Sequence, residues 1–144
     1  MPEAASPSRS AVLRLTLACQ FGEVRRAARA VCEFLRERGC GVEQLMDCQL
    51  ALVEACNNAI NYAGKSASGD PIVVEANCGP EDIELRIIDH TPGFEWPAQV
   101  KLPDSETEHG RGLFLIQSVM DHADYVRAPG GNTLVLRKKR RATE

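Results

Sequence analysis

Three polar residues whose types could support catalysis, Glu54, Asn58 and Asn61, stand at i, i+4 and i+7 in the segment VEACNNAINYA. At about 100° per residue, a helix would place all three on one face. A solvated helix face is one explanation, because polar residues opposite an apolar stripe are usual. Asn favours a functional explanation, since it lowers helix propensity and a solvent face would more simply carry Lys or Glu. This segment alone leaves both explanations open.

Two later segments carry further candidate residues. In IIDH, Asp89 follows an apolar run directly, where a carboxylate can accept a directed hydrogen bond or simply begin a turn. In HGRGLFLIQSVMD, Gly110 and Gly112 open a helical pattern, and their missing side chains would let backbone N–H groups approach a phosphate. A flexible helix start is the alternative, because Leu115 breaks the full dinucleotide-binding motif.

The elements that must position these residues follow from the hydrophobic periodicity. In chain order we predict the strand AVLRLTLAC, helices at residues 22–39 and 42–63, the hairpin of PIVVEANC and DIELRIIDH, a long loop at 91–108, a helix at 110–122 and the hairpin YVRAPGGNTLVLRK. Strands joined mostly as hairpins favour an α+β fold. We expect a two-layer sandwich with a mixed, mainly antiparallel sheet and three helices on one face.

The same periodicity predicts the buried faces. The odd-numbered side chains of the first strand should be buried, and Gly39 should end the first helix. The predicted stripe of that helix is Val24, Ala27, Ala28, Val31 and Leu35. The predicted stripe of the second helix is Val42, Leu45, Met46, Val53, Cys56, Ile60 and Ala63.

The composition is that of one ordinary globular domain. The 144 residues carry a formal net charge of −3 and are 44% hydrophobic, enough for a core without disulfides or metal. We expect a flexible leader at residues 1–10, a single domain at 11–139 and a basic tail at 140–144. No apolar run approaches the roughly 18 residues of a membrane span, and no secretory signal is evident, so we expect a cytoplasmic protein. The acidic balance argues against nucleic acid as the main partner.

Six cysteines are many for this length, but they form no C-x-x-C pair and have no accompanying His-x-x-x-His. A cysteine metal site is therefore not expected. Several lie among Ala, Leu and Val, where a reduced thiol behaves as a small hydrophobe. Cys56 is two residues from Asn58 but on the apolar stripe, so we assign it to the core.

Taken together, the segments VEACNNAINYA, IIDHTPGF, GRGLFLIQSVMD and GNTLVLRK resemble the N box, the two glycine boxes and the closing strand of the Bergerat ATP-binding fold of the GHKL superfamily. The resemblance extends from Val12 to Lys138. Within the superfamily, GRGLFLIQSVMD is most similar to the small anti-sigma-factor serine kinases of the RsbW and SpoIIAB type. A sensor histidine kinase would need an added dimerising hairpin, and a gyrase-type ATPase would need a transducer domain.

The resemblance implies that the chain uses ATP and Mg²⁺. Glu54 would be the general base for a partner's serine hydroxyl, and Arg111 would contact the γ-phosphate, although it could also be an ordinary exposed arginine. Asn58 would give its amide oxygen to Mg²⁺, for which amide oxygen is a suitable hard ligand. Asn61 would also contact the nucleotide, and Asp89 would accept a hydrogen from the adenine amino group.

The resemblance assigns five more residues to the nucleotide. Gly93 would let the backbone pass close to the base, and Gly110 and Gly112 would cradle the phosphates beside Leu113. Thr133 would hold the adenine edge. One departure from the family pattern is Thr91, which stands where the first glycine box usually has its leading glycine, and its effect on nucleotide affinity is open.

The implied function is that of an anti-sigma factor and serine-protein kinase in a partner-switching module. Such a protein sequesters a sigma factor or similar regulator and phosphorylates a small STAS-type antagonist on serine. The resemblance also implies a homodimer, with the helix-free sheet face as the candidate contact surface. Two alternatives stay open: a non-catalytic binding module with the same fold, and the catalytic domain of a split histidine kinase.

Overall fold

The computed structural model describes residues 12–63, 70–90 and 108–140. Its elements are β1 (Val12–Leu17), α1 (Gly22–Glu37), α2 (Val42–Ala63), β2 (Ile72–Cys78), β3 (Asp82–Asp89), α3 (Glu108–Val119), β4 (His122–Ala128) and β5 (Gly131–Lys139). The predicted order of elements is confirmed. The predicted leader, the predicted loop after residue 90 and the tail after residue 140 lie outside the described residues.

The five strands form one sheet in the order β1-β2-β3-β5-β4. Each pair of neighbouring strands in this sheet is antiparallel, so the predicted α+β class is confirmed and the sheet is more regular than the expected mixed one. One row of side chains across the helix-covered face consists of Leu13, Ala76, Leu85, Leu136 and Ala123. The helices pack on this face and form the second layer.

The first helix buries the stripe that its periodicity predicts, whereas the odd-numbered face of the first strand is buried only in part. Leu17 is fully buried, and Leu13 and Leu15 pack against the core. All five predicted positions of the α1 stripe are buried. After α1 the chain turns at Gly39, whose φ of 89° is readily adopted only by glycine.

The predicted stripe of α2 is wrong at its start. Val42 is 71% exposed and Met46 is 62% exposed. The buried side of α2 consists largely of small residues: Leu45, Cys48, Ala51, Leu52, Ala55, Cys56 and Ala59. Small side chains let the helix approach its neighbours closely, so large apolar residues such as Val42 and Met46 are not needed on its buried face.

The third helix is shifted from its prediction. It begins at Glu108, two residues early, and ends at Val119, while His122 belongs to β4. The backbone N–H of Asp121 donates to the carbonyl of Arg137 at 2.9 Å, and its carboxylate accepts from the backbone N–H of Lys139 at 2.7 Å. These bonds draw the chain into the sheet before a further helical turn can form.

Arg140, the first residue of the predicted tail, makes several hydrogen bonds to the rest of the domain. Its backbone N–H donates to the carbonyl of Glu81, and its guanidinium donates to the carbonyls of Gly79 and Arg38. This side chain therefore ties the β2–β3 turn to the end of α1. None of the described helices combines the length and apolarity needed to cross a bilayer.

Candidate nucleotide site

The position of α2 over the sheet is set by two contacts near its start. The side-chain amide of Gln44 donates to the carbonyl of Lys139 at 2.9 Å, and Nζ of Lys138 lies 3.1 Å from the carboxylate of Asp47. Lys139 pairs with Asp82 at the beginning of β3. The helix therefore starts over the end of the sheet where β3 begins and β5 finishes.

From this start, α2 packs along β3 and β5. At about 1.5 Å per residue the helix advances about 21 Å between Gln44 and Asn58. At about 3.3 Å per residue β3 advances about 23 Å between Asp82 and Asp89. An α2 axis aligned with β3 therefore places the half of α2 that carries Glu54 and Asn58 over the same end of the sheet as Asp89.

Glu54 and Asn58 meet α3 at Gly112. A methyl group built on Gly112 would lie 2.9 Å from Oε1 of Glu54 and 3.6 Å from both the Oδ1 and Nδ2 atoms of Asn58. Asn58 is only 7% exposed, so a solvated helix face does not describe this residue. The predicted sharing of one helix face by Glu54 and Asn58 is confirmed, whereas Asn61 is exposed near the end of the helix.

Gly112 thus has a packing role that the sequence did not reveal. Because α3 begins at Glu108, Gly110 is among the first four residues, whose N–H groups lack partners within the helix, and Gly112 comes just after them. Phosphate contact by either glycine stays a prediction. The absence of a side chain at Gly112 is what allows α3 to approach the carboxylate and the amide.

A second polar pair lies at the same end of the sheet. Asp89 and Asn132 are opposite partners on β3 and β5, and Nδ2 of Asn132 donates to Oδ1 of Asp89 at 3.0 Å. Asp89 is 5% exposed and Asn132 is 3% exposed. Gly131 permits this pairing, since a methyl group there would stand 3.0 Å from the carbonyl oxygen of Asp89.

Thr133, which the resemblance assigns to the adenine edge, does not share a sheet face with Asp89. Thr133 pairs with Ile88 and Val126, one position out of step with Asp89, and therefore lies on the other face of the sheet. The residue of β5 that lies directly opposite Asp89 is Asn132. The signal was in the sequence: Leu134 is a core residue, so alternation assigns residue 132 to the same face.

The other predicted site residues are placed only in part. Leu113 is buried beside Gly112 near the start of α3. Arg111 belongs to α3 by its backbone, but its side chain lies outside the described part of the structure. Thr91 and Gly93 also lie outside the described residues.

Four of the six cysteines lie in the core, as predicted for several of them. Cys40, Cys48, Cys56 and Cys78 are buried, and Cys19 and Cys32 are partly exposed. Burial raises the pKa of the Cys56 thiol to about 12, which disfavours the thiolate form beside the site. Within the described residues, no group of three or more His, Cys, Asp or Glu side chains is arranged to hold a metal.

The layers, the sheet order and the polar pairs at one sheet end define the class of histidine kinase-type ATPase domains, the Bergerat fold. Residues 17–138 match the model of the histidine kinase-like ATPase domain. The chain belongs to this family.

Two curated relatives are similar in sequence. One is the serine-protein kinase RsbW of Bacillus pumilus, 27% identical over 107 residues, a match that covers 67% of this chain and 65% of RsbW. The chain thus spans slightly less than two thirds of that relative. The other is an anti-sigma F factor of Clostridium perfringens, 24% identical over 117 residues, with 76% of this chain and 83% of the relative covered.

Two crystal structures share the fold. The RsbU and RsbW domains of Rv1364c from Mycobacterium tuberculosis match with a TM-score of 0.69 and 19% identity, covering 92% of this chain and 33% of that one. The SiaB–SiaC complex from Pseudomonas aeruginosa matches with a TM-score of 0.58 and 15% identity, covering 96% of this chain and 98% of the other. At these identities the likeness concerns the fold.

Proposed function

We propose that this protein is an ATP-dependent serine-protein kinase that also acts as an anti-sigma factor. The observation that carries the proposal is the contact of Glu54 and Asn58 with the side-chain-free surface of Gly112. The Glu54 carboxylate and the Asn58 amide face Gly112, which belongs to α3, the helix whose start would approach the phosphates. Phosphoryl transfer needs chiefly such positioning and charge stabilisation.

Each residue of the site has a proposed role. Glu54 orients the serine hydroxyl of the partner and accepts its proton, while Asp89 accepts a hydrogen bond from the adenine amino group. Asn58 would hold Mg²⁺ through its amide oxygen, and this donor suits a hard cation that keeps water and phosphate oxygens as its other ligands. When bound, Mg²⁺ would neutralise charge on the phosphates. Arg111 would contact the γ-phosphate.

Residues around these groups complete the proposed nucleotide site. Gly93 would let the backbone approach the base, and Gly110 would direct its N–H toward a phosphate at the beginning of α3. Leu113 and Asn61 would line the pocket. Gly112 would serve mainly by bringing α3 close to Glu54, in addition to any phosphate contact.

The proposed partners follow from the relatives' names. One relative is a serine-protein kinase, another is an anti-sigma factor, and a solved neighbour was crystallised as a two-protein complex. We therefore infer a cytoplasmic partner-switching protein that sequesters a sigma factor or similar regulator and phosphorylates a small STAS-type antagonist. The proposal includes neither nucleic acid nor a membrane as a direct partner.

We also propose that the chain forms a homodimer through the helix-free sheet face. That face carries the row Thr16, Val73, Ile88, Thr133 and Val126, which is largely apolar. Val126 is 57% exposed there. Sedimentation should therefore give a dimer for the wild-type chain and a monomer for Val126→Asp, and a monomeric wild-type protein would contradict this part of the proposal.

The decisive experiment for the kinase proposal is incubation of the chain with γ-labelled ATP, Mg²⁺ and candidate STAS-type antagonists. We expect label on the antagonist that survives acid, because phosphoserine is stable in acid and phosphohistidine is not. Acid-labile label would indicate a histidine kinase. ATP binding without transfer to any candidate would favour a non-catalytic binding module.

A further inference from the structure

Asp89 and Asn132 form a buried polar pair at the edge of the core, next to positions that are otherwise apolar. On the same face of β3 and β5, the adjoining positions are filled by buried apolar residues: Ile87, Leu85, Leu134 and Leu136. Asp89 and Asn132 are the next pair on this helix-covered face, at the end of the sheet assigned above to Glu54 and Asn58. Buried polar groups need hydrogen-bond partners, and here the side-chain amide of Asn132 donates to the carboxylate of Asp89.

The chemistry of the pair fixes its orientation. A carboxylate only accepts hydrogen bonds, so the amide of Asn132 must present Nδ2 to it. The bond is charge-assisted, which makes it stronger than one between neutral groups. A carboxylate held in this way cannot rotate freely about its terminal torsion, which is otherwise broad.

We propose that Asn132 is a positioning residue that fixes the carboxylate of Asp89 for a 6-aminopurine and against a 6-oxopurine. The inference rests on the proposed nucleotide site. Adenine presents an amino donor at position 6, whereas hypoxanthine presents a carbonyl acceptor there and an N–H donor at the adjacent N1. A rotating carboxylate could turn from one donor to the other. A carboxylate held by Asn132 remains aimed at the amino group, and a 6-oxo base then faces it with a second acceptor.

A purely structural role is the competing explanation, since a bond between β3 and β5 could merely join the strands. The two strands are already paired along Asp82–Asp89 by the antiparallel ladder. Gly131, with a φ of 148°, also brings the backbone of β5 close to Asp89 without any side chain. The additional side-chain bond is therefore better explained by the orientation of the carboxylate than by strand pairing.

The test measures dissociation constants of ATP and ITP, with Mg²⁺, by calorimetry on the full chain. ITP differs from ATP only in the groups at positions 6 and 1 of the purine. The variants are Asn132→Ala, the isosteric Asn132→Asp, and Thr133→Val as a matched control on the opposite sheet face. Circular dichroism and thermal melting verify that each variant is folded, and Asn132→Asp keeps the test available if the alanine variant does not fold.

We expect the wild-type chain to prefer ATP over ITP by about tenfold or more, and both Asn132 variants to reduce this ratio by about fivefold or more, as expected for one lost hydrogen bond. Thr133→Val should leave the ratio within about twofold. Equal weakening of both nucleotides in the Asn132 variants would overturn the inference in favour of a structural role. A changed ratio in Thr133→Val alone would overturn it in favour of Thr133. Absence of ATP binding by the wild-type chain would overturn the nucleotide site itself, a different result from binding without the predicted selectivity.

Discussion

Gly112 of α3 lies so close to Glu54 of α2 that a methyl group on the glycine would stand 2.9 Å from Oε1 of the carboxylate. Such a separation is below that of real side-chain contacts, so the two residues cannot both keep their places if Gly112 gains a side chain. The atom that must move is the end of a flexible side chain. The contact therefore links the approach of two helices directly to the position of the proposed general base.

Substituting Gly112→Ala should displace Glu54 without unfolding the domain. Alanine is the better helix former, which offsets part of the strain, so we expect a change in the free energy of unfolding within about 1 kcal/mol. Phosphoryl transfer should fall by about tenfold or more, because catalysis is sensitive to displacements near 1 Å. Kinase assays and urea denaturation measure the two effects. In the control Gly130→Ala, the added methyl group would meet no atom within 4 Å, and activity should not change.

Substituting Glu54→Ala and Asn58→Ala should separate catalysis from binding. Glu54→Ala should abolish transfer while leaving ATP affinity nearly unchanged, since a general base acts mainly in the transition state. Asn58→Ala should weaken the Mg²⁺-dependent part of ATP binding. Titrations with ATP in the presence of Mg²⁺ and of EDTA measure this part. Equal loss of ATP binding in both variants would contradict the division of roles.

The stability contributed by Glu84 should be lost in acid. Burial raises the pKa of this carboxyl, but hydrogen bonds from Arg86 and Arg137 outweigh it, so the pKa lies below the ordinary value of 4.5. A carboxyl with a lowered pKa stabilises the fold above the unfolded pKa, and this stabilisation disappears as the pH falls through the folded pKa.

Glu84→Gln should accordingly lower the urea midpoint by about a few tenths molar at pH 7, a small effect because the two arginine side chains are nearly half exposed to solvent. The difference from wild type should shrink as the pH falls below 4.5. Glu81→Gln is the control, since the Glu81 side chain makes no recorded ion pair within the described residues. A pH-independent difference for Glu84→Gln would contradict the role of its charge.

The cysteines should differ in reactivity according to burial. Burial raises the pKa of Cys48 and of Cys56 to about 12, so neither forms thiolate near neutral pH, and both are inaccessible. Cys19 and Cys32 are partly exposed. Iodoacetamide labelling at pH 8, followed by mass spectrometry, should modify Cys19 and Cys32 in the native protein and the buried pair only in denaturant. Rapid native labelling of Cys56 would contradict its core position.

The corrected packing of α2 predicts unequal effects of two substitutions on the same helix. Leu52 is fully buried, so Leu52→Ala should lower the free energy of unfolding by about 3 kcal/mol. Met46 is 62% exposed, so Met46→Ala should change it by less than about 0.5 kcal/mol. Chemical denaturation measures both. Comparable losses of unfolding free energy in the two variants would indicate that Met46 is buried, as the predicted stripe of α2 has it.

Periodicity located the elements and the polar face of α2, because helical and strand spacing are local properties of the chain. Periodicity predicted burial wrongly where several apolar residues of one helix could equally have faced the core. In α2 the core accepts Ala and Cys at the buried positions and leaves Val42 and Met46 exposed. The limits of α3 were also misjudged, because Asp121 is drawn into the sheet by β5, a partner distant in sequence.

The sequence by itself determined the order of elements, the α1 stripe and the residue types of the candidate site, since each depends on near neighbours in the chain. Only the tertiary structure decided that Asn132 faces Asp89 and that Gly112 lies against Glu54. Strand register and helix approach are fixed by contacts between segments far apart in the chain. A shift of one residue in β5 would reverse every side chain across the sheet, and with it the choice between Asn132 and Thr133.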